Sequence, residues 1–237
     1  MNIIERLDLL FVNRPKQGEA RRREALSLFD ALSLPDRPQG LEIGCGQGIG
    51  TRILVEKYQA RMIASDVDAG QIQLARERLA DLRDDGIEFR ECDARSMPFD
   101  DGSFDVVCAF GVLHHIDPGW REAVSEAGRV LKSGGCFVFI DWLMSEKVSR
   151  FIQKAITDWD IVDEPMLKEA LARNNLAIEV FESERCWLGL LRKCRGVACK
   201  RGADFSTTEN GKRPGALRGG RSGSGGSKSS APGTCRE

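Results

Sequence analysis

The sequence predicts a doubly wound α/β domain with a mostly parallel sheet, and three observations carry that expectation. Short apolar runs of strand length alternate with amphipathic stretches of helix length from Leu41 to Asp141. The glycine-rich stretch Gly44-Cys45-Gly46-Gln47-Gly48 follows the first run and leads into the first helix of the alternation. Acids close the next two runs, at Asp66 and Asp93. In open α/β sheets, ligands lie outside the carboxyl ends of the strands where the strand order reverses, so loop and acids are expected at one crevice.

The elements follow in order. Ile3, Ile4, Leu7, Leu10 and Phe11 recur at helical spacing, Asn13-Arg14-Pro15 interrupts, and a second helix is expected from Glu19 to Leu32, stopped by Pro35 and Pro38. Leu41-Glu42-Ile43 reads as a short strand, Ile49 to Tyr58 as a helix and Arg61 to Asp66 as a strand. A helix over Gln71 to Leu82 packs through Ile72, Leu74, Ala75 and Leu79, and Ile87 to Cys92 is the next strand. Phe104 to Phe110 is nearly continuously apolar, the pattern of a strand covered on both faces. Trp120 to Leu131 reads as a helix, Ser133-Gly134-Gly135 as a turn and Cys136 to Asp141 as a strand. Helices are expected over Ser149 to Trp159 and Pro165 to Asn174, then a half-exposed strand over Ala177 to Glu182 with Cys186 to Leu191 as its partner. The organisation is thus a helical cap over residues 1–37, an α/β domain over 38–195, and a Gly/Ser/basic tail over 196–237 expected to be disordered.

Composition excludes some classes of function. The chain has 237 residues, 41% hydrophobic and 30% charged, which is ordinary for a soluble globular protein that folds without disulfides or metal. The net charge is −1, yet Gly196 to Glu237 carries eight basic and three acidic residues, leaving a mildly acidic body with a basic tail. Glu5, Arg6 and Asp8 interrupt the apolar start, so no secretory leader is expected, and no apolar run approaches the ~20 residues that span a bilayer. The eight cysteines show no paired spacing. Cys45, Cys92, Cys108 and Cys136 are expected as small free hydrophobes, which points to a reducing cytoplasm. Cys186, Cys194 and Cys199 have no partnering histidine and poor zinc spacing, so no metal site is expected.

The chemistry sits in the loop and the acids. Glycines at Gly44, Gly46 and Gly48 let a ligand approach bare backbone, and the helix that follows presents N–H groups. Their spacing does not match G-x-G-x-x-G, which disfavours a nicotinamide dehydrogenase. Asp66 is placed to accept hydrogen bonds from both hydroxyls of a ribose. Asp93 is placed to accept from an adenine amino group, with the Ala94 N–H facing the ring. Either acid alone also reads as a helix cap or a solvated carboxylate.

Taken together, Leu41-Glu42-Ile43-Gly44-Cys45-Gly46-Gln47-Gly48, Asp66 and Cys92-Asp93-Ala94 resemble class I S-adenosylmethionine-dependent methyltransferases. Met97-Pro98-Phe99-Asp100-Asp101-Gly102-Ser103-Phe104-Asp105-Val106-Val107, Gly111-Val112-Leu113-His114-His115-Ile116 and Arg129-Val130-Leu131-Lys132-Ser133-Gly134-Gly135 extend the resemblance, with Ser133 where the family usually has proline. It is nearest to the small-molecule branch that includes quinone-biosynthesis C-methyltransferases. The resemblance implies a Rossmann-like seven-stranded sheet with one antiparallel strand, helices on both faces, and S-adenosyl-L-methionine as cofactor. It implies that Glu42, Gly44, Cys45, Gly46 and Gly48 surround the methionine half. Asp66 would bind the ribose, Val67 would pack on the adenine, Asp93 and Ala94 would hold its edge, and Phe110 and Gly111 would offer carbonyls to the amino group.

The cofactor brings an activated methyl group, so the protein must align an acceptor and exclude water. A general base is needed only for an acceptor that holds a proton at neutral pH. His114 and His115 are the only histidines. His115 and Asp141 are the candidate catalytic residues, although both histidines also read as shaping the loop. Trp142 faces the expected acceptor site as a stacking surface or as core. Arg14, Lys16, Arg21, Arg22 and Arg23 read as a solvated helix face, or as a cap over an acidic acceptor. The acceptor is expected to be a small molecule. A nucleic-acid methyltransferase is favoured only by the basic tail, because Phe110-Gly111-Val112-Leu113 stands where base amino-methylating enzymes carry an Asn/Asp-Pro-Pro-aromatic run. A non-catalytic cofactor-binding protein is the third reading. Acceptor atom and oligomeric state are not encoded in any motif.

Overall fold

Gln39–Ile43 forms β1, and the chain winds to one side of it through α2 (Ile49–Tyr58), β2 (Arg61–Asp66), α3 (Ala69–Arg78) and β3 (Ile87–Glu91). It then crosses to the other side of β1. There it forms β4 (Phe104–Phe110), a 3₁₀ turn (Leu113–His115), α4 (Trp120–Val130), β5 (Leu131–Met144), α5 (Glu146–Ala155) and α6 (Glu164–Arg173). The hairpin β6 (Leu176–Cys186) and β7 (Leu191–Lys200) closes that side, and a helix α1 (Pro15–Phe29) precedes the sheet. This computed structural model describes residues 15–82, 86–155, 160–186 and 191–202. The seven strands run in the order β3-β2-β1-β4-β5-β7-β6. All neighbours are parallel except those of β7, which is antiparallel to both β5 and β6. The strand order reverses between β1 and β4, where Leu41 lies opposite Ile63 on one side and Val107 on the other. That reversal sets the crevice at the carboxyl ends of β1 and β4.

The period of two in β4 divides the core between the sheet faces. Val107 and Ala109 join Leu41, Ile43, Phe137 and Phe139 against Trp120, Val124 and Ala127 of α4 and Leu167 and Leu171 of α6. Val106, Cys108 and Phe110 join Met62, Val138 and Ile140 against Ile53 and Leu54 of α2 and Ala25, Leu28 and Phe29 of α1. Each large aliphatic side chain buried this way stabilises the fold by about 1.5–3 kcal/mol. Helix α1 is thus a structural layer of the domain. Phe29 meets Phe110 edge-on at 6.0 Å, the Tyr58 hydroxyl donates to the Phe29 carbonyl at 2.7 Å, and Arg22 pairs with Glu56 at 2.6 Å.

Several boundaries differ from the sequence expectation. Helix α1 begins at Pro15, where proline's fixed φ suits a first turn. The expected helix over Met1 to Phe11 lies outside the described residues. The Ser133–Gly135 turn is absorbed into β5 as an irregularity, with the partner register shifting between Phe104 and Val106. Cys136 is not a free thiol: it is bonded to Cys199, its register partner on β7. The expectation failed because the two cysteines are 63 residues apart in sequence and meet only through the antiparallel return of the chain.

Strand β7 runs through the expected boundary at Arg195 to Lys200, and residues beyond Gly202 lie outside the described part. Gly196 reads in sequence as the start of the tail, yet it is wedged in the sheet opposite Phe139 and Phe181. A Cβ there would stand 2.6 Å from the Val180 carbonyl oxygen and 2.8 Å from Phe139 Cζ. Gly196→Ala is therefore expected to destabilise the fold by about 1–3 kcal/mol through overpacking, read from the midpoint of urea denaturation; an unchanged midpoint would show that β7 does not pack at this position.

Candidate functional site

The glycine loop is built from its first residue outward. Strand β1 ends at Ile43, and Gly44 turns the chain with φ +58°. A Cβ on Gly44 would lie 2.2 Å from Val112 Cγ2, so only glycine lets this loop sit against the turn after β4. The Cys45 N–H donates to the Ser65 carbonyl at 2.8 Å and the Gly48 N–H to the Cys45 carbonyl at 2.7 Å, which ties the loop to β2 and closes its turn. Gly46 has an open flank, the nearest atom to a Cβ there being Gln71 Oε1 at 3.6 Å.

Glu42 braces this loop from beneath. Its buried carboxylate accepts from the Gly50 N–H at 2.8 Å, the Thr51 N–H at 2.8 Å and the Thr51 hydroxyl at 2.7 Å. Two amides of the first turn of α2, expected from sequence to face a ligand, are therefore engaged within the protein. Burial pushes the Glu42 carboxyl up to about 7, against the lowering effect of its bonds to Thr51 and Gly50.

At the end of β2 the Asp66 carboxylate accepts from the Gly46 N–H at 3.2 Å and the Asp68 N–H at 3.1 Å, joining second strand and glycine loop. Burial raises its pKa above the ordinary value, partly countered by these amides. Val67 beside it is 68% exposed, an apolar side chain open at the crevice edge. The Cys92 N–H donates to the Asp66 carbonyl at 2.9 Å, which brings the end of β3 alongside. Asp93 is there, but its carboxylate is held by the Arg95 side chain, with Nη2 at 2.7 Å and Nε at 3.0 Å, and by the Arg95 N–H at 2.9 Å. Those bonds hold it below the usual carboxylate range. Ala94 is half-buried and packs on the core. Arg95 is a partner of Asp93 that no spacing rule marked.

The turn after β4 is organised by Asp141, in the last third of β5 and fully buried. It accepts from the N–H groups of Val112 at 3.2 Å, Leu113 at 2.8 Å and Trp142 at 2.8 Å, and meets Nδ1 of His114. Burial pushes this carboxyl upward, but His114 and the amides outweigh it and hold it below the ordinary value. The histidine joined to Asp141 is thus His114, whereas His115 is exposed and stacks on His114 at 3.9 Å. Phe110 is buried on α1, and Gly111 follows with φ +71° and its N–H on the Ile140 carbonyl at 2.6 Å. Trp142 is partly buried beneath Lys193, whose ammonium lies 5.4 Å from the ring and pairs with Glu24 of α1. The sequence left Arg21 between a solvated helix face and a cap over an acidic acceptor; the structure turns it inward against Gly111. Only the packing of α1 on the sheet reveals that, because neighbouring Arg22 and Arg23 give the same local pattern.

These strand ends belong to a doubly wound domain whose crevice opens where the strand order reverses between β1 and β4. Residues 41–139 match the family described as Methyltransferase domain, a stretch that is under half of the chain. Among curated proteins, a demethylmenaquinone methyltransferase of Clavibacter sepedonicus is 37% identical over 103 residues, 43% of this chain and 40% of that protein. A protein named Probable tRNA methyltransferase 9B of Mus musculus is 32% identical over 122 residues, 50% of this chain and 25% of that protein. The chain thus spans half or less of the length of these relatives. Among solved structures, geranyl diphosphate C-methyltransferase from Streptomyces coelicolor A3(2), in complex with Mg2+, geranyl diphosphate and S-adenosyl-L-homocysteine, superposes with a TM-score of 0.64 at 19% identity. That likeness covers 80% of this chain and 86% of the other, and it shows the fold.

The Glu42 carboxyl makes a checkable contribution to stability. Its value is raised to about 7 from an ordinary 4.5, so between these limits the folded state keeps a proton that the unfolded state has released. Stability from this group is full below the unfolded value and falls as pH rises through the folded one. Urea denaturation across this window is expected to show that fall in the wild type and a flatter profile in Glu42→Gln; identical slopes would place the titration elsewhere.

Proposed function

We propose that the chain is an S-adenosyl-L-methionine-dependent methyltransferase that transfers a methyl group in line to a small-molecule acceptor. One observation carries the reading: the Asp66 carboxylate is hydrogen-bonded to the glycine loop at Gly46 and stands beside the open apolar side chain of Val67. That pairs a ribose acceptor with a surface for a flat base. When bound, the cofactor supplies a methyl group already activated on sulfur. The residues present fit it. Gly44, Cys45, Gly46 and Gly48 line the methionine half, with Glu42 bracing the loop beneath them. Asp66 accepts from the ribose hydroxyls, Val67 packs on the adenine, and Asp93, shared with Arg95, holds the adenine edge with Ala94. The carbonyls of Phe110 and Gly111 accept from the amino group.

His114 with Asp141 is the proposed proton acceptor for a hydroxyl substrate. The carboxylate beside Nδ1 orients the ring and stabilises the imidazolium formed when the ring takes up the substrate's proton. A cavity of about 600 Å³ opens beyond the end of β5, lined by Ser145, Glu146, Lys147, Glu164, Arg185 and Arg192 among others. Its size suits a metabolite and its mixed charge a polar one. A reducing cytoplasmic setting is part of the proposal. The five cysteines outside the disulfide among the described residues favour it, and the Cys136–Cys199 disulfide opposes it; thiol counting on protein taken directly from cells separates the two. None of the described helices is long and apolar enough to cross a membrane.

A second reading, methylation of nucleic acid, is favoured by the basic stretch beyond Gly196 and by the tRNA methyltransferase relative. Its mark is salt-sensitive RNA binding that disappears when the chain is cut after Gly202. Cutting at Gly196 would instead break β7.

Titration calorimetry is expected to show binding of S-adenosyl-L-methionine, weakened by about 1.5–3 kcal/mol in Asp66→Ala as bonds to a charged group are lost. No heat from the wild type would end the cofactor reading, and equal affinities would end the ribose assignment. With a hydroxyl acceptor, His114→Ala is expected to lower kcat by about 100- to 10,000-fold while leaving cofactor affinity intact; undiminished turnover would remove His114 from the chemistry.

A further inference from the structure

Arg21 is engaged differently from the cations around it on α1 and β7. Arg22 pairs with Glu56 on the outer surface, and Lys193 with Glu24. No hydrogen bond or ion pair joins Arg21 to any of the described residues. Its guanidinium lies over the backbone where β4 ends: a Cβ built on Gly111 would stand 3.2 Å from Nη2, 3.4 Å from Cζ and 3.6 Å from Nη1. Burial lowers its pKa, and Asp141, Glu24 and Glu42 counter that only as charges at a distance. The oxygens of Glu42 and Asp141 are engaged by their own loops. Arg21 is half-buried, and its guanidinium at the end of β4 keeps N–H donors that a ligand anion can take up.

We infer that Arg21 is the counter-ion for the α-carboxylate of the cofactor's methionine half. The inference rests on the cofactor reading above and adds a contact to it. In an amino acid the carboxylate is one carbon away from the amino nitrogen. An amino group held by the Gly111 carbonyl therefore brings its carboxylate under the guanidinium that covers Gly111. The planar guanidinium offers two parallel N–H donors to a carboxylate, a geometry that lysine does not reproduce. Helix α1 then has two duties: it packs Phe29 and Leu28 on the sheet, and it carries the cation that recognises the amino-acid end of the ligand. Lys193 and Glu24 hold the same helix from β7, so the cation is placed by packing on both sides.

The test compares S-adenosyl-L-methionine with its decarboxylated analogue, which keeps the adenosine, the sulfonium and the amino group. Calorimetry on the full chain is expected to show the wild type preferring the carboxylated form by about 10- to 100-fold. In Arg21→Leu that preference should vanish, with affinity for the decarboxylated analogue unchanged or tighter. Arg21→Lys should keep part of it, and Arg22→Ala all of it. A preference undiminished in Arg21→Leu, or an equal loss for both ligands, overturns the inference while the cofactor reading stands. A wild type that binds neither ligand overturns the cofactor reading and the inference with it. Should Arg21→Leu fail to fold, as judged by circular dichroism, Arg21→Gln gives the same ratio under the same criteria.

Discussion

The site depends on one buried carboxylate. Glu42 lies buried next to the carboxyl end of β1, and its oxygens take up the Gly50 and Thr51 amides and the Thr51 hydroxyl. An ionised carboxylate in this setting is tolerable only because donors surround it. Those donors belong to the first turn of α2, so a single side chain fixes the distance between strand end and helix start. The glycine loop has to span that fixed gap. Its positive φ values at Gly44, Gly46 and Gly48 follow from the narrow span as much as from any ligand.

From this anchor the crevice is stitched across the strand ends by backbone bonds. Cys45 donates to Ser65 of β2, Cys92 of the β3 end donates to Asp66, and Gly111 of the β4 end donates to Ile140 of β5. Asp141 does for the turn after β4 what Glu42 does for the glycine loop: it gathers the amides that a sharp turn leaves unpaired. Each loop is therefore clamped to the neighbouring strand, and the groups facing the crevice are held by the rigid sheet. Such preorganisation lets a site present dipoles and charges to a ligand with little rearrangement on binding.

Much of this was legible in the sequence because the signals are local. Strand-length apolar runs mark the strands in place, Asp66 ends β2, Asp93 lies just past β3, and β2, β4 and α2 have the expected limits. What was not legible depends on long-range return of the chain. The Cys136–Cys199 pair, the burial of Gly196 and the inward turn of Arg21 all arise where α1 or β7 meets the central sheet. The pairing of His114 with Asp141 is of the same kind. Two adjacent histidines are equivalent in a motif, and only the 3₁₀ turn at Leu113–His115 decides which faces the carboxylate. Asp93 shows the converse, a local bond to Arg95 two residues on that a strand-end argument overlooks.

The balance of charge at the crevice bears on which ligand it suits. Glu42, Asp66 and Asp141 lie at or near the carboxyl ends of β1, β2 and β5, with the half-buried Arg21 the cation beside Gly111. The acids outnumber that cation, and with a carboxyl near 7 the charge is also adjustable: a cation arriving in the crevice favours the ionised form of Glu42. On the proposed reading the ligand arrives as a sulfonium with an amino group and a carboxylate, net positive, and leaves as a thioether with no net charge. The acids therefore hold the methyl-bearing form more strongly than the spent one, while Arg21, answering only the carboxylate common to both, does not discriminate. Recognition of the amino-acid end and discrimination between the two forms would then rest on separate groups, which lets the site grip its ligand without gripping its product equally.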